Sequence, residues 1–203
     1  MQIRKKFLRA AVLLLTLAML TGCAGEQGPS TDPPASAGIT QSAIRDYSGL
    51  GSVMPEMTIT TAGGETLTLS KLLEQKKLIV LNFWFEDCPW CLKEFPVMEL
   101  AYQRYKEDVE IIALNPVDSA EAVSAFQENR SLSFPMAACP RFWASEMGIS
   151  GYPTSVFIDR DGVVCLIHAG AITSTDTFYT LFETFTADDY QRKIYNSITD
   201  LES

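Results

Sequence analysis

The chain is organised around Leu78-Ile79-Val80-Leu81-Asn82-Phe83-Trp84-Phe85-Glu86-Asp87-Cys88-Pro89-Trp90-Cys91-Leu92-Lys93-Glu94-Phe95-Pro96. This stretch opens as a continuous apolar run, the pattern of a strand buried on both faces. It then passes through two acidic residues into helical spacing. Cys88 is therefore expected where a buried strand hands over to a helix, at the helix N-terminus. Unpaired backbone N–H groups and the positive end of the helix dipole favour a thiolate there. Such placement lowers a cysteine pKa from about 8.5 to between roughly 3.5 and 7.5. Cys91 lies one helical turn on, within reach of a disulfide with Cys88. The pair suits thiol–disulfide exchange.

Upstream of this stretch the chain begins with an address. Arg4, Lys5, Lys6 and Arg9 precede an apolar run from Ala10 to Leu20, interrupted only by Thr16. That run is short for a membrane span and reads as a secretory signal over residues 1–22. It closes in Leu20-Thr21-Gly22-Cys23, which resembles the lipobox of bacterial lipoproteins. The resemblance implies cleavage before Cys23, lipidation of Cys23 and a stable hold on a membrane surface. Residues 23–52 form the lipidated cysteine and a flexible tether, poor in apolar side chains over 24–42 and carrying Pro33-Pro34. The folded domain is expected over 53–203.

Removing residues 1–22 takes away four basic side chains and no acidic one, so the formal net charge moves from −9 to −13. An acidic mature chain disfavours nucleic acid and anionic lipid headgroups as partners. Of the five cysteines, Cys139 and Cys165 remain beyond Cys23 and the pair. They are read as a second bridge or as two buried thiols.

Along the domain, Met57-Thr58-Ile59-Thr60 and Thr66-Leu67-Thr68-Leu69 alternate around Ala62-Gly63-Gly64, a hairpin pattern. Ser70 is expected to cap a short helix through Gln75. The strand from Leu78 leads to a helix from about Cys88 to Tyr105, in which Pro96 removes one backbone hydrogen bond. Val109 to Leu114 reads as a strand, and Ala120 to Asn129 and Arg141 to Met147 as helices. Ser155 to Ile158 and Val163 to His168 read as strands joined by a turn at Arg160-Asp161-Gly162. A closing helix fits Thr175 to Phe185, continued by Asp188 to Ile198. The order argues for an α/β fold on a mixed sheet.

Asn82-Phe83-Trp84-Phe85, the pair, Glu94-Phe95-Pro96, and Gly151-Tyr152-Pro153-Thr154 with Phe157 to Gly162 together resemble the thioredoxin superfamily, most of all its membrane-anchored TlpA/ResA branch. The resemblance covers roughly residues 53–186. It implies a thioredoxin-like fold, a central mixed β-sheet flanked by helices, here with an N-terminal β-hairpin extension. By the same resemblance Cys88 is the attacking thiolate and Cys91 the resolving thiol. Pro153 matches the proline that is cis in the superfamily, its loop facing the cysteines. The backbone of Tyr152 is then free to pair with an extended substrate segment. Asn82 stands where thioredoxins carry a buried aspartate, and an amide cannot act as a base. The TlpA/ResA branch has instead a glutamate three residues after the second cysteine, matched by Glu94. From Cys91 to Glu94 is i to i+3, one helix face. Glu94 is read as a proton acceptor for Cys91, its pKa raised by partial burial, or as a solvated side chain.

The dipeptide between the cysteines departs from the branch, which usually has proline just before the second cysteine. Here Pro89 follows the first and Trp90 fills the third position, presenting an apolar face to a partner or simply packing. The implied activity is a lipid-anchored thiol–disulfide oxidoreductase on the extracytoplasmic face of the cell membrane, with no cofactor beyond the cysteines. It would reduce specific protein disulfides, with apocytochrome c or another extracytoplasmic redox enzyme as client. A membrane carrier of the CcdA/DsbD type would re-reduce it. Three alternatives stand beside this: an oxidase donating its disulfide, a peroxiredoxin, and a Sco-type copper chaperone with His168 as a third ligand. A zinc site is disfavoured, since it needs four ligands and only His168, Cys139 and Cys165 are left to complete one.

Overall fold

The computed structural model describes Ile44 and residues 47–190. The signal segment, Cys23 and most of the tether therefore lie outside the described residues, as does the continuation of the last helix beyond Tyr190.

The apolar run forms β3 (Leu78–Phe83), buried at every position. It lies at the centre of a five-stranded sheet of order β5-β4-β3-β6-β7. On one side it pairs in parallel with β4 (Val109–Asn115), in register from Leu78 opposite Val109 to Phe83 opposite Leu114. On the other it pairs antiparallel with β6 (Thr154–Asp159), so Phe83 lies opposite Thr154 and Asn82 opposite Ser155. β7 (Val164–Ala169) is one edge, and β5 (Met136–Ala138) the other. This is the thioredoxin-like mixed sheet that the resemblance implies.

Strand periodicity sorts the β3 side chains into two cores. Leu78 and Val80 face a cluster built with α2 (Pro89–Tyr105), α3 (Ala120–Arg130) and α5 (Thr175–Thr186). Ile79, Leu81 and Phe83 face the opposite cluster. That second cluster holds the hairpin β1 (Thr58–Thr60) and β2 (Thr66–Thr68), α1 (Leu69–Gln75) and α4 (Arg141–Glu146). The hairpin pairs Ile59 with Leu67, and just beyond it Ala62 N–H donates to the Met136 carbonyl at 2.7 Å, covering the edge at β5. The β6–β7 turn needs Gly162, whose φ is +77°. Asp159 Oδ1 accepts the Asp161 and Val163 N–H groups there, both at 3.0 Å.

Four expectations change. The packed domain starts before Val53: Ile44 and Tyr47 are buried in the second cluster, and residues 51–52 bond the main chain of Val164. Sparse apolar residues in a polar stretch hid this boundary. Ser70 does not cap α1 but lies inside it, and its N–H and Oγ both reach the Glu56 carboxylate, at 3.1 and 3.0 Å. A carboxylate fourteen residues upstream thus satisfies the helix start. β5 was not anticipated, because three residues of Met-Ala-Ala carry no strand period. Finally, α5 ends at Thr186 with Ala187 in an extended conformation, so the chain leaves the helix before Asp188.

Candidate functional site

The parallel strands β3 and β4 end at the same side of the sheet where β6 begins, and this register brings three segments together there. β3 runs into Trp84 and Phe85, then Cys88 takes the N-cap position of α2. Pro89 at N1 has no N–H to leave unpaired. Cys88 Sγ accepts the N–H of Cys91 at 3.2 Å, a contact of the kind that favours negative charge on a sulfur once the disulfide is reduced. Cys88 and Cys91 are joined as a disulfide with their Cα atoms 5.3 Å apart. Cys88 is 3% exposed and Cys91 fully buried.

The turn leading to Cys88 is held from outside. Asp118 Oδ2 accepts the Glu86 N–H at 2.7 Å and an Asn115 side-chain N–H at 2.8 Å. Asn115 Oδ1 in turn accepts the Val117 and Asp118 N–H groups, an Asx turn at the end of β4. Asp118 is not among the residues singled out from the sequence, although Asn115-Pro116-Val117-Asp118 closing an apolar strand carries its signal. Below the turn, the Trp84 ring meets Phe95 at 5.1 Å and Phe126 at 4.6 Å, bracing the start of α2 against α3.

Glu94 is the residue whose setting the structure changes most. The buried stripe of α2 runs Cys91, Glu94, Phe95, Met98, Ala101 and Tyr102, so Glu94 points into the core and is fully buried. The solvated reading is therefore wrong. Its Oε1 accepts the Ile172 N–H at 2.8 Å and its Oε2 the Asn82 amide at 2.9 Å. Asn82 Nδ2 also reaches Ser155 Oγ at 2.9 Å, while Asn82 Oδ1 has no hydrogen-bond partner among the described residues. Burial pushes the Glu94 carboxyl up to about 7, against the opposing pull of the Ile172 and Asn82 hydrogen bonds. A carboxyl one helical turn past Cys91 that exchanges its proton near neutral pH is suited to general acid–base work. No sequence signal pointed to Ile172, which acts through its backbone.

The Tyr152–Pro153 peptide bond is cis, and Pro153 is buried. Gly170 N–H donates to the Pro153 carbonyl at 2.9 Å, and Thr154 Oγ1 to the Gly151 carbonyl at 2.8 Å. The Tyr152 ring meets Phe85 edge-on at 5.6 Å, so this loop lies against the turn that carries Cys88. Trp90 is 55% exposed, with Lys93 Nζ 4.1 Å from its ring centroid.

Cys139 and Cys165 are free thiols on opposite faces of the sheet, which excludes a bridge between them. Burial pushes the Cys139 thiol upward and Cys165 up to about 12. His168 lies in β7 opposite Ser155. Among the described residues, no three His, Cys, Asp or Glu side chains gather as metal ligands.

Comparison with known proteins agrees with this geometry. The profile of the Redoxin family matches residues 50–181. The chain belongs to the Redoxin family. Within it the chain is 29% identical over 175 residues to the thioredoxin-like protein YneN of Bacillus subtilis, covering 85% of this chain and 94% of that one. It is 32% identical over 127 residues to the thiol-disulfide oxidoreductase ResA of Bacillus subtilis, covering 62% of this chain and 70% of ResA. Among solved structures, the thioredoxin domain of a thiol-disulfide oxidoreductase from Bacteroides vulgatus superposes with a TM-score of 0.59 at 21% identity. It covers 70% of this chain and all of that domain. This Redoxin family member is a ResA/TlpA-like thiol–disulfide oxidoreductase of the thioredoxin superfamily.

Proposed function

We propose that this oxidoreductase works outside the cytoplasm as a reductase of specific protein disulfides, held to the membrane by lipid on Cys23. In the reduced chain, Cys88 attacks one sulfur of a client disulfide and forms a mixed disulfide. The client's other sulfur leaves as a thiolate and takes up a proton. Cys91 then gives its proton to Glu94 and attacks Cys88 Sγ. The Cys88–client bond breaks, the second client sulfur leaves as a thiolate and takes up the proton held by Glu94, and the Cys88–Cys91 disulfide is left in place. The client gains two electrons and two protons, and the protein's dithiol loses them. A membrane carrier of the CcdA/DsbD type returns the electrons. Apocytochrome c or another extracytoplasmic redox enzyme fits as client, and Trp90, Tyr152 and the Pro153 loop form the surface that receives it.

The observation that carries the reading is the buried Glu94 carboxyl on the α2 stripe that holds Cys91. It gives the resolving thiol a proton acceptor that Asn82 cannot provide. Lipid attachment rests on Leu20-Thr21-Gly22-Cys23. Among the described residues no helix is long and apolar enough to cross a membrane. Trapping tests the scheme: a Cys91→Ser chain, expressed in cells, is expected to accumulate client proteins bound through Cys88 and released by dithiothreitol. If no Cys88-dependent adducts form, the scheme fails. A reduction potential near DsbA's, about −120 mV, rather than thioredoxin's, about −270 mV, would reverse its direction.

A further inference from the structure

Asn82, Glu94 and Ser155 are all buried, and they form a polar cluster inside an apolar core. β3 and β6 pair so that Asn82 lies opposite Ser155, which puts the two side chains on one face of the sheet. One Nδ2–H of Asn82 donates to Glu94 Oε2 and the other to Ser155 Oγ, each at 2.9 Å. Both donors of the amide are therefore used, while its Oδ1 accepts from none of the described residues. A buried amide paired at one end only calls for a cause. The surroundings of Glu94 narrow it. α2 brings Cys91 one turn away, and the segment before α5 brings the Ile172 N–H. α5 and β7 turn Phe178, Phe182, Leu166 and the Cys165 thiol to the same core, and burial keeps that thiol protonated. Among the described residues no charged side chain acts on the carboxyl: burial raises its proton affinity, and the Ile172 and Asn82 hydrogen bonds lower it.

The arrangement fits one protonation state. A carboxylate only accepts, so an amide N–H facing it is well placed. Once Glu94 holds the proton of Cys91, an O–H faces that same N–H, donor against donor. Half a rotation of the amide puts Oδ1 there instead, where it accepts the Glu94 O–H. Ser155 suits both orientations, because a hydroxyl accepts from Nδ2 and donates to Oδ1. We infer that Asn82 is a positioning residue that turns with the Glu94 proton, steadied by Ser155, so that the buried carboxyl is hydrogen-bonded both before and after it takes the proton of Cys91. The two orientations are not equal. With Glu94 ionised, one carbonyl oxygen of the amide is left unpaired. With Glu94 protonated, two N–H groups are, and buried donors tolerate this less well than a carbonyl does. The amide thus biases Glu94 towards giving its proton up. The balance is simple: the proton leaves Cys91 Sγ, is held on Glu94 Oε2 and passes to the departing client thiolate.

The inference rests on Glu94 as the proton acceptor of the reductase scheme, and it is tested on the resting protein as well as in turnover. In isotope-labelled, oxidised full-length protein, NMR follows the two Asn82 Nδ2 protons from about pH 5 to about pH 9. Above the Glu94 midpoint, at about 7, both are hydrogen-bonded and lie downfield. Below it both are expected to move upfield together, since the turned amide takes both away from their acceptors. In the Glu94→Gln chain, whose amide N–H stands in for the acid O–H, they stay upfield throughout. An amide that does not turn moves only the proton facing Glu94, and that result overturns the inference. In turnover, reduced Asn82→Ala protein is mixed with a short peptide closed by an internal disulfide. The inflection of its pH–rate profile is expected about one pH unit above that of the parent, because the carboxylate has lost a donor. An unmoved inflection also overturns the inference and leaves the reductase reading standing. If the parent reduces neither this peptide nor any trapped client, the reductase reading falls, while the two amide protons still decide the role of Asn82.

Discussion

Replacing Glu94 by glutamine tests the energetic heart of the site. Burial raises this carboxyl from the ordinary 4.5 to about 7. Between those values the native chain holds a proton that the unfolded chain has released. The unfolded state therefore binds fewer protons, and stability falls as pH rises through the window, levelling off above it. At about 1.4 kcal/mol for each pKa unit, the loss between pH 4.5 and pH 8 comes to about 3 kcal/mol. Glutamine cannot ionise and escapes this loss. Its carbonyl still accepts the Ile172 N–H, and the Asn82 amide can turn its unpartnered Oδ1 towards the new side-chain N–H. Denaturant unfolding of the oxidised proteins from pH 4 to pH 9 gives the difference directly. Glu110, also raised by burial, titrates in both proteins and cancels. The Glu94→Gln curve should rise relative to the parent by about 3 kcal/mol with its midpoint between pH 5 and pH 7. In parallel, client turnover should slow by about a hundredfold and lose its inflection near neutral pH. A difference curve flat to about 0.5 kcal/mol, with an unchanged pH–rate profile, would refute both the burial argument and the catalytic role.

Asp118→Ala removes the acceptor for the Glu86 and Asn115 N–H groups. It is expected to cost about 1–2 kcal/mol in urea unfolding and to slow the attack of Cys88, because the turn before the sulfur loses its outer hold. Normal stability and rate would show that the turn is held by the Trp84–Phe95–Phe126 rings alone. Thiol-specific alkylation mapped by mass spectrometry should leave Cys139 unmodified in the native oxidised protein and label it only on unfolding, with half-buried Cys165 reacting slowly. Labelling of Cys139 at the rate of an exposed thiol would contradict its burial.

Local pattern made much of this protein legible. An apolar run broken only by Asn82, a C-x-x-C after its end and an acidic-to-helical switch are short-range features, and they appear as β3, the N-cap of α2 and the disulfide. The hairpin and the Asp-Gly turn before β7 were readable for the same reason, since turn geometry depends on neighbours in the chain. The buried stripe of α2 could even have placed Glu94, because Cys91, Phe95, Met98 and Tyr102 share its helix face.

Composition and spacing therefore determined a cysteine pair at a strand–helix junction of an α/β fold, since period and turn chemistry are properties of adjacent residues. What that pair works with follows from the packing of distant segments. The partners of Glu94 come from 12 and 78 positions away, and Ser155 meets Asn82 across 73. Cys139 and Cys165 were parted by the sheet, and β5 was recruited by β4 rather than by its own sequence. A carboxyl's proton affinity is set by the water it loses and the donors it meets, and both are fixed only when distant segments pack.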